Sequence, residues 1–350
     1  MQNARRPPSP DTHAESAARE RQLQLTKPPG ALGRLEDLAC WLAGRLGSVV
    51  PEMPRAEIFV FAADHGVAAR GVSAFPQSVT ASMLDNFAHG GAAINVLATL
   101  QDCRIEVVDV GVASETPSPR GIRNERIRQG TRDLTEEPAL SPDEANAAQE
   151  VGAQCAREAY SRGSRLLIAG EMGIANTTAA ACLICALTGA SPERIVGRGT
   201  GVDEAGLARK RSVVKSALVR AGGTPSGEQD AQRLLAELGG FEIAAMAGFY
   251  LEAARTGVPV LLDGFISSAA ALVAASIEPA ARPWMLASHA SAEAGHAIAL
   301  ESLGLTPLLA LDMRLGEGTG AALTLSIVRA ALDLHRKMAT FSEAGIAGKL

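Results

Sequence analysis

Aromatic side chains are scarce in this sequence: of its 350 residues, 3% are Phe, Trp or Tyr, although 47% are hydrophobic. The core must therefore be built mainly from Ala, Leu, Val and Ile. Basic residues are not in excess either, because 33 Lys and Arg stand against 38 Asp and Glu, which gives a formal net charge of -5. With no concentrated basic stripe, nucleic acid is not expected as a partner.

Long apolar runs are also absent. Charges, Pro or Gly interrupt every run well before the roughly 18 residues that a membrane-spanning helix needs. Arg5 and Arg6 are followed by Pro and Ser rather than by the apolar segment of an export signal. We therefore expect a cytoplasmic protein without a membrane segment.

Cysteines are few, and the five at positions 40, 103, 155, 182 and 185 show no disulfide framework. Cys182 and Cys185 have the spacing of a C-x-x-C motif, but they fall in an apolar helical run without a second pair of ligands. We interpret them as buried helix residues, with a metal or redox site as the alternative.

Apolar runs that alternate with helical patterns are the main feature present. The runs cover 58–63, 105–108, 166–169, 258–262 and 308–311, and this alternation predicts an α/β fold with a parallel sheet and right-handed crossovers. Residues 1–20 are polar and predict a mobile tail. A helix, a rigid turn and a second helix are expected after position 21, and a linker-like turn is expected at 222–229.

Acidic residues close to glycines follow each of these runs, namely Asp64, Asp109, Glu171, Asp263 and Glu317. The carboxyl ends of parallel strands meet at one edge of a sheet, so these groups are expected to converge on one crevice. Glu317, between Gly316 and Gly318, is the leading candidate for a catalytic base. The alternative is a surface loop whose acid lies near a helix N-terminus, where negative charge is favoured.

Two glycine-rich turns suggest an anion site. Gly170-Glu171-Met172-Gly173 leads into Asn176 and Thr177 at the head of a helix, where free backbone N–H groups suit a phosphate. Gly197 to Gly201 form the second turn, and Lys210 follows in a basic stretch. Ordinary helix capping and a solvated charge run remain the alternatives.

The spacing of His289, Glu293 and His296 also invites a metal interpretation. The order H-x-x-x-E-x-x-H differs from the H-E-x-x-H zinc motif, and no third ligand stands out. We therefore expect no metal at this position.

Several segments, taken together and in order, resemble the nicotinate-nucleotide–dimethylbenzimidazole phosphoribosyltransferase family over roughly residues 22–346. The segments are Lys27-Pro28-Pro29-Gly30-Ala31-Leu32-Gly33, Ala63-Asp64-His65-Gly66-Val67, Gly170-Glu171-Met172-Gly173-Ile174-Ala175-Asn176-Thr177-Thr178, Gly239-Gly240-Phe241, Leu261-Leu262-Asp263-Gly264-Phe265, Ser288-His289 and Arg314-Leu315-Gly316-Glu317-Gly318.

The resemblance implies a transferase that moves ribose 5-phosphate from nicotinate mononucleotide to 5,6-dimethylbenzimidazole in cobalamin lower-ligand synthesis, without a cofactor. It implies a homodimer with a doubly wound, Rossmann-like large domain at 56–325. A smaller helical domain would be built from both chain ends, at 21–55 and 326–350.

The resemblance also implies roles for individual residues. Glu317 would be the general base, and Glu171 would orient the ring or the ribose. The predicted phosphate set is Gly173, Asn176, Thr177, Gly201 and Lys210. The predicted base pocket is lined by Met83, Met172 and Leu315, and Asp263 and Ser291 complete the substrate-binding set. Because Met83 matches a position that varies in relatives, adenine and other benzimidazoles remain open as acceptors, as do another N-glycosyl transfer reaction and a non-catalytic nucleotide-binding protein.

Overall fold

A parallel sheet of six strands forms the centre of the molecule in the computed structural model, which describes residues 6–222 and 228–347. The strand order is β3-β2-β1-β4-β5-β6. The strands are β1 (Ala56–Ala63), β2 (Arg104–Gly111), β3 (Arg123–Asn124), β4 (Leu166–Met172), β5 (Val260–Leu262) and β6 (Met285–Ala287). This order reverses between β1 and β4, which is where open α/β sheets bind ligands.

Helices cover both faces of the sheet. They are α1 (Thr12–Gln24), α2 (Arg34–Leu46), α3 (Val79–Ala88), α4 (Ala93–Leu100), α5 (Pro142–Ser161), α6 (Asn176–Thr188), α7 (Pro192–Ile195), α8 (Glu204–Ala221), α9 (Glu228–Leu238), α10 (Phe241–Arg255), α11 (Phe265–Ile277), α12 (His296–Leu303) and α13 (Thr319–Lys337). No helix within the described ranges is long and apolar enough to cross a membrane.

The central strand β1 shows why the sequence forms this sandwich. All eight of its residues are buried, and successive side chains point to opposite faces. Phe59 and Phe61 pack with α5, α6, α10 and α11, whereas Ile58 and Val60 pack with α2, α4 and α13. The predicted α/β fold with a parallel sheet is therefore confirmed.

The two described chain ends meet. Leu25 forms a backbone bridge with Thr340, and Gln22 Nε2 lies 2.8 Å from His335 Nδ1. The predicted boundary between 325 and 326 falls inside the continuous helix α13. The existence of a separate small domain stays a prediction.

The predicted mobile tail at 1–20 is wrong from position 12 onward, because α1 begins there. Asp11 caps the helix by accepting a hydrogen bond from the Ala14 N–H at 2.9 Å. Ala14 and Ala18 are buried, and Glu15 forms an ion pair with Arg45 at 2.6 Å. Small alanine contacts leave little hydrophobic periodicity in the sequence, which explains the error. Residues 1–5 lie outside the described part of the chain.

The last predicted strand, 308–311, is also corrected. Only β8 (Leu309–Ala310) forms, and it pairs in parallel with β7 (His289–Ala290) in a separate sheet of two strands. Leu311 is exposed, so the expected buried strand does not exist. The linker-like turn expected at 222–229 lies largely outside the described residues, as do positions 348–350 of the C-terminal extension.

Candidate active site

A cavity of about 330 Å³ lies at the carboxyl end of β4. Most residues of the predicted site line it: Met83, Glu171, Met172, Gly173, Asn176, Thr177, Ser291, Leu315 and Glu317. Three predicted residues, Gly201, Lys210 and Asp263, do not line it. The acids Asp64 and Asp109, which were expected in the same crevice, do not line it either.

Glu317 lies in a strained turn. Its φ angle is +62°, and its neighbours Gly316 and Gly318 have φ angles of +87° and +86°. Such angles are uncommon for a residue with a side chain and are found preferentially at functional sites. Glu317 is 5% exposed, and its Oε2 accepts a hydrogen bond from the Ile94 N–H at 3.3 Å. Glu317 is therefore buried rather than exposed on a surface loop, although it does lie at the N-terminus of a helix, α13, as the alternative expects.

The turn is held against β4 at close range. The Glu317 N–H donates to the carbonyl oxygen of Glu171 at 3.2 Å. A Cβ atom at Gly170 would overlap the carbonyl group of Glu317, and one at Gly316 would overlap Oε1 of Glu171. Only glycine at these two positions allows the two acidic segments to lie together.

Burial raises the pKa of both acids. The pKa of Glu317 is raised mainly by burial, against the hydrogen bond from Ile94, with a further contribution from the charge of Asp263. Glu171 is deeply buried, and this burial, together with the charges of Glu242 and Asp263, raises its pKa to about 8. The hydrogen bond that Asn176 Nδ2 donates to Glu171 Oε2 opposes the shift. At pH 7 Glu171 is therefore largely a neutral acid.

Asp263 holds the frame of the site. Its carboxylate oxygens accept hydrogen bonds from the Gly318 N–H at 3.2 Å and the Ala321 N–H at 3.0 Å. These are the orphan donors at the start of α13, so Asp263 fixes the turn that carries Glu317. Asp263 does not line the cavity, and its predicted contact with substrate stays a prediction.

Lys210 lies directly behind the cavity wall. Its side chain is 1% exposed, and Nζ donates to Thr177 Oγ1 at 2.7 Å. Burial lowers the pKa of Lys210 to about 8. The alternative of a solvated charge run is therefore wrong for Lys210. Gly201 is exposed, and no atom lies within 4 Å of the position of a Cβ there.

The apolar part of the wall includes residues that sequence reasoning missed. Phe75 and Val79 join Met83, and Phe265 and Ile266 come from the start of α11. Phe75 lies in a loop without a regular pattern, so no sequence signal identified it. Its side chain is 52% exposed, which leaves an aromatic face at the cavity mouth.

The residues suspected of metal binding have other partners. His296 Nδ1 accepts from the Ser291 N–H at 2.8 Å, and its Nε2 lies 3.0 Å from Ser268 Oγ. Burial lowers the pKa of His296 to about 4. Within the part of the chain that the structure describes, no group of three or more His, Cys, Asp or Glu side chains is arranged to hold a metal ion. His289 and Glu293 instead line the cavity.

All five cysteines are free. Cys182 and Cys185 are buried in α6, as the helical interpretation predicts. Burial raises the pKa of the Cys185 thiol to about 12, which makes it a poor metal ligand or nucleophile.

Comparison with known proteins gives one consistent result. A family model described as a phosphoribosyltransferase matches residues 7–346. A nicotinate-nucleotide–dimethylbenzimidazole phosphoribosyltransferase of Chromobacterium violaceum is 57% identical over 339 residues, which cover 97% of this chain and 97% of the relative. The chain is also similar to a protein of the same name from Thermus thermophilus, which is 50% identical over 96% of this chain and 99% of the relative.

The structural comparison agrees. The crystal structure of CobT from Thermus thermophilus superposes with a TM-score of 0.92 at 50% sequence identity, covering 96% of this chain and 100% of the other. The match covers 96% of this chain, so it extends over nearly the whole fold.

Proposed function

Because the chain belongs to the nicotinate-nucleotide–dimethylbenzimidazole phosphoribosyltransferase family, we propose that it transfers ribose 5-phosphate from nicotinate mononucleotide to 5,6-dimethylbenzimidazole. The products are nicotinate and α-ribazole 5′-phosphate, the precursor of the lower ligand of cobalamin. One observation carries this proposal: a buried carboxylate at 317 and a buried ammonium at 210 are joined by a series of contacts through Glu171, Asn176 and Thr177.

The leaving group needs little help from the protein. In nicotinate mononucleotide the pyridine nitrogen already carries a positive charge, so nicotinate departs without being protonated. The carboxylate of Glu317 lines the cavity, and its negative charge when ionised suits the cationic ring of the bound nucleotide.

Glu317 acts as the general base in this reaction. The benzimidazole becomes cationic as one nitrogen attacks the sugar, and its other N–H must then lose a proton. A carboxylate whose pKa is raised by burial accepts that proton more readily than an exposed one would. Met83, Met172 and Leu315 form the apolar surface on which the flat ring rests.

Glu171 has a different task. As a largely neutral acid at pH 7 it donates a hydrogen bond, while Asn176 holds one of its oxygens. We assign it to orienting the leaving ring or the ribose.

The phosphate binds beside Lys210. The N-terminus of α6, with Gly173, Asn176 and Thr177, supplies backbone and side-chain donors, and Lys210 supplies the positive charge. Gly201 belongs to the neighbouring turn, where its missing side chain leaves room for a ligand, and Ser291 contributes a hydroxyl to the wall. Attack by the benzimidazole on the face opposite nicotinate then inverts the anomeric carbon, which gives an α product from a β substrate.

The decisive assay mixes nicotinate mononucleotide with dimethylbenzimidazole and follows nicotinate release without added metal. Proton NMR of the product identifies the anomer. Release that requires dimethylbenzimidazole and yields the α anomer supports the proposal. Activity with adenine instead would change the acceptor, activity with inorganic phosphate instead would indicate a phosphorylase, and binding without turnover would indicate a non-catalytic nucleotide-binding protein.

We propose further that the protein acts in the cytoplasm as a homodimer. Supporting features are the family resemblance and two exposed apolar residues one turn apart on α4, Val96 and Leu100. Light scattering tests the dimer, since each chain has a mass of 36.2 kDa. A mass of a single chain at micromolar concentration would contradict it.

A further inference from the structure

Glu293 is a buried acid that the reaction described above does not use. It lies in the loop between β7 and α12, and its side chain is 7% exposed while it lines the cavity. Its Oε2 atom is buried and accepts no hydrogen bond from any described residue. A buried carboxylate oxygen without a donor is costly, so a donor is expected when the cavity is filled.

The surroundings of Glu293 place this oxygen next to the anion site. A Cβ atom at Gly197 would overlap Oε2 of Glu293. Two residues further along the same turn, a Cβ at Gly199 would lie 2.8 Å from both Lys210 Nζ and Thr177 Oγ1. Two residues of chain span at most about 7 Å, so the carboxylate and the ammonium contact the same turn. They are near enough for the charge of Glu293 to act on Lys210.

The chemistry of the missing donor follows from this placement. A carboxylate repels a phosphate group, so Glu293 does not belong to the phosphate site itself. In a nucleotide the groups next to the phosphate that can donate hydrogen bonds are the sugar hydroxyls. We propose that Glu293 recognises a hydroxyl of the ribose and thereby selects ribonucleotides over deoxyribonucleotides. This inference rests on the proposed function for the identity of the sugar phosphate.

A competing role for Glu293 would be to keep Lys210 charged. The charge of Glu293 does act against the burial that lowers the pKa of Lys210. However, Lys210 Nζ already donates to Thr177 Oγ1, and Oε2 of Glu293 stays without a donor. The geometry therefore leaves this oxygen for the ligand. Loss of a ribose contact would reduce discrimination between ribose and deoxyribose, whereas loss of the charge on Lys210 would reduce discrimination between mononucleotide and riboside.

The test compares four substrates with dimethylbenzimidazole as acceptor: nicotinate mononucleotide, its 2′-deoxy and 3′-deoxy forms, and nicotinate riboside. The wild-type protein should prefer the ribonucleotide to one deoxy form by about 10- to 100-fold in kcat/KM, since that form lacks a hydrogen bond to a charged group. In Glu293→Ala this ratio should fall to within about threefold, because the hydrogen bond is already lost. The ratio between mononucleotide and riboside should stay unchanged.

Glu293→Gln provides a second variant of the same size, which should retain the fold and lose part of the discrimination. Glu301→Gln is the matched control, because it alters an exposed acid on α12. The inference is overturned if the wild type uses both deoxy forms as well as it uses the ribonucleotide. It is also overturned if Glu293→Ala alters the ratio of kcat/KM between mononucleotide and riboside instead.

Failure of the proposed function gives a different pattern. Calorimetric binding of ribose 5-phosphate and of its 2-deoxy and 3-deoxy forms needs no turnover. The wild type should bind ribose 5-phosphate more tightly than one of the deoxy forms, and Glu293→Ala should bind them equally. With that result Glu293 keeps its role even in a protein without transferase activity. Equal binding of all three sugar phosphates by an inactive wild type removes both conclusions.

Discussion

The main-chain N–H of Glu317 and the carbonyl of Glu171 share a hydrogen bond of 3.2 Å. The two acids of the cavity are thus connected through their backbones, although one belongs to the sheet and the other to the turn before the last long helix. The two side chains have different roles, because burial and the charges of Glu242 and Asp263 raise the pKa of Glu171 to about 8.

Glu317→Gln should retain nucleotide binding and lose most turnover. The amide keeps the hydrogen bond from Ile94 but cannot accept the benzimidazole proton, so kcat should fall by about 100-fold or more. Steady-state kinetics should show the loss in kcat, with KM for the nucleotide within about threefold of the wild type. Asp312→Asn is the control, since Asp312 is exposed in the same loop and also has a positive φ angle. Full activity of Glu317→Gln would refute the base assignment.

Gly170→Ala should destabilise the fold and disturb the turn at 317. Its methyl group would overlap the backbone of Glu317 and Gly318, which cannot move without breaking the capping of α13. The expected loss in the free energy of unfolding is more than about 2 kcal/mol. Urea denaturation measures it against Gly264→Ala, where the nearest atoms would lie 3.7 Å from the new Cβ. Equal stability of the two variants would contradict the packing described.

Glu171→Gln should raise stability increasingly with pH. In the folded protein Glu171 keeps its proton up to pH about 8, whereas in the unfolded chain it releases it near the ordinary value of 4.5. Between these values the folded state binds the extra proton, so the free energy of unfolding falls as pH rises. The variant removes this contribution. Its free energy of unfolding should exceed that of the wild type by near zero at pH 5 and by a few kcal/mol at pH 8.

Denaturation curves at four pH values between 5 and 8 check this dependence. Glu301→Gln, in which an exposed acid is replaced, should show a constant difference from the wild type over the same range. A pH-independent difference for Glu171→Gln would mean that Glu171 is ionised in the folded protein.

Lys210→Met should weaken binding of the phosphorylated substrate specifically. Because burial lowers the pKa of Lys210 to about 8, kcat/KM of the wild type for nicotinate mononucleotide should decline above that pH as the ammonium loses its proton. The variant should show a KM for nicotinate mononucleotide raised by at least about tenfold. Its kcat/KM should show little of the decline above pH 8 that the Lys210 ammonium causes, and its kcat/KM for nicotinate riboside should equal that of the wild type.

Lys215→Met is the comparison for this experiment. It lies on the same helix α8, but its side chain is exposed and pairs with Glu193. A similar rise in KM for both variants would remove Lys210 from the phosphate site.

The sequence predicted the parallel sheet because its signals are local. A run such as 58–63 is apolar throughout, and a strand buried on both faces requires that pattern. The carboxyl ends of parallel strands meet at one edge of a sheet, so Glu171 could be expected in a crevice there. The strand order, which places the end of β4 at the reversal of the sheet, came from the structure. At the start of α5, Ser141 and Glu144 form a capping box, which is likewise a local feature of the chain.

The errors have a common physical cause, which is that long-range packing decided the outcome. Helix α1 is stabilised by alanine contacts and an ion pair to α2, neither of which is visible as periodicity. The run at 308–311 resembles a buried strand, yet only the two-residue strand β8 forms there, and its partner β7 is an equally short strand outside the main sheet. The burial of Lys210 and Glu293 depends on which turns face each other, and composition does not contain that information.

The positive φ angle at position 317 gives the protein a constraint on how it can adapt. Glycine would suit that backbone better than any residue with a side chain, so selection for thermal resistance alone would favour removing the acid. A lineage moving to hotter conditions would have to gain its added stability elsewhere in the molecule, because the simplest local relief would also remove the proposed base.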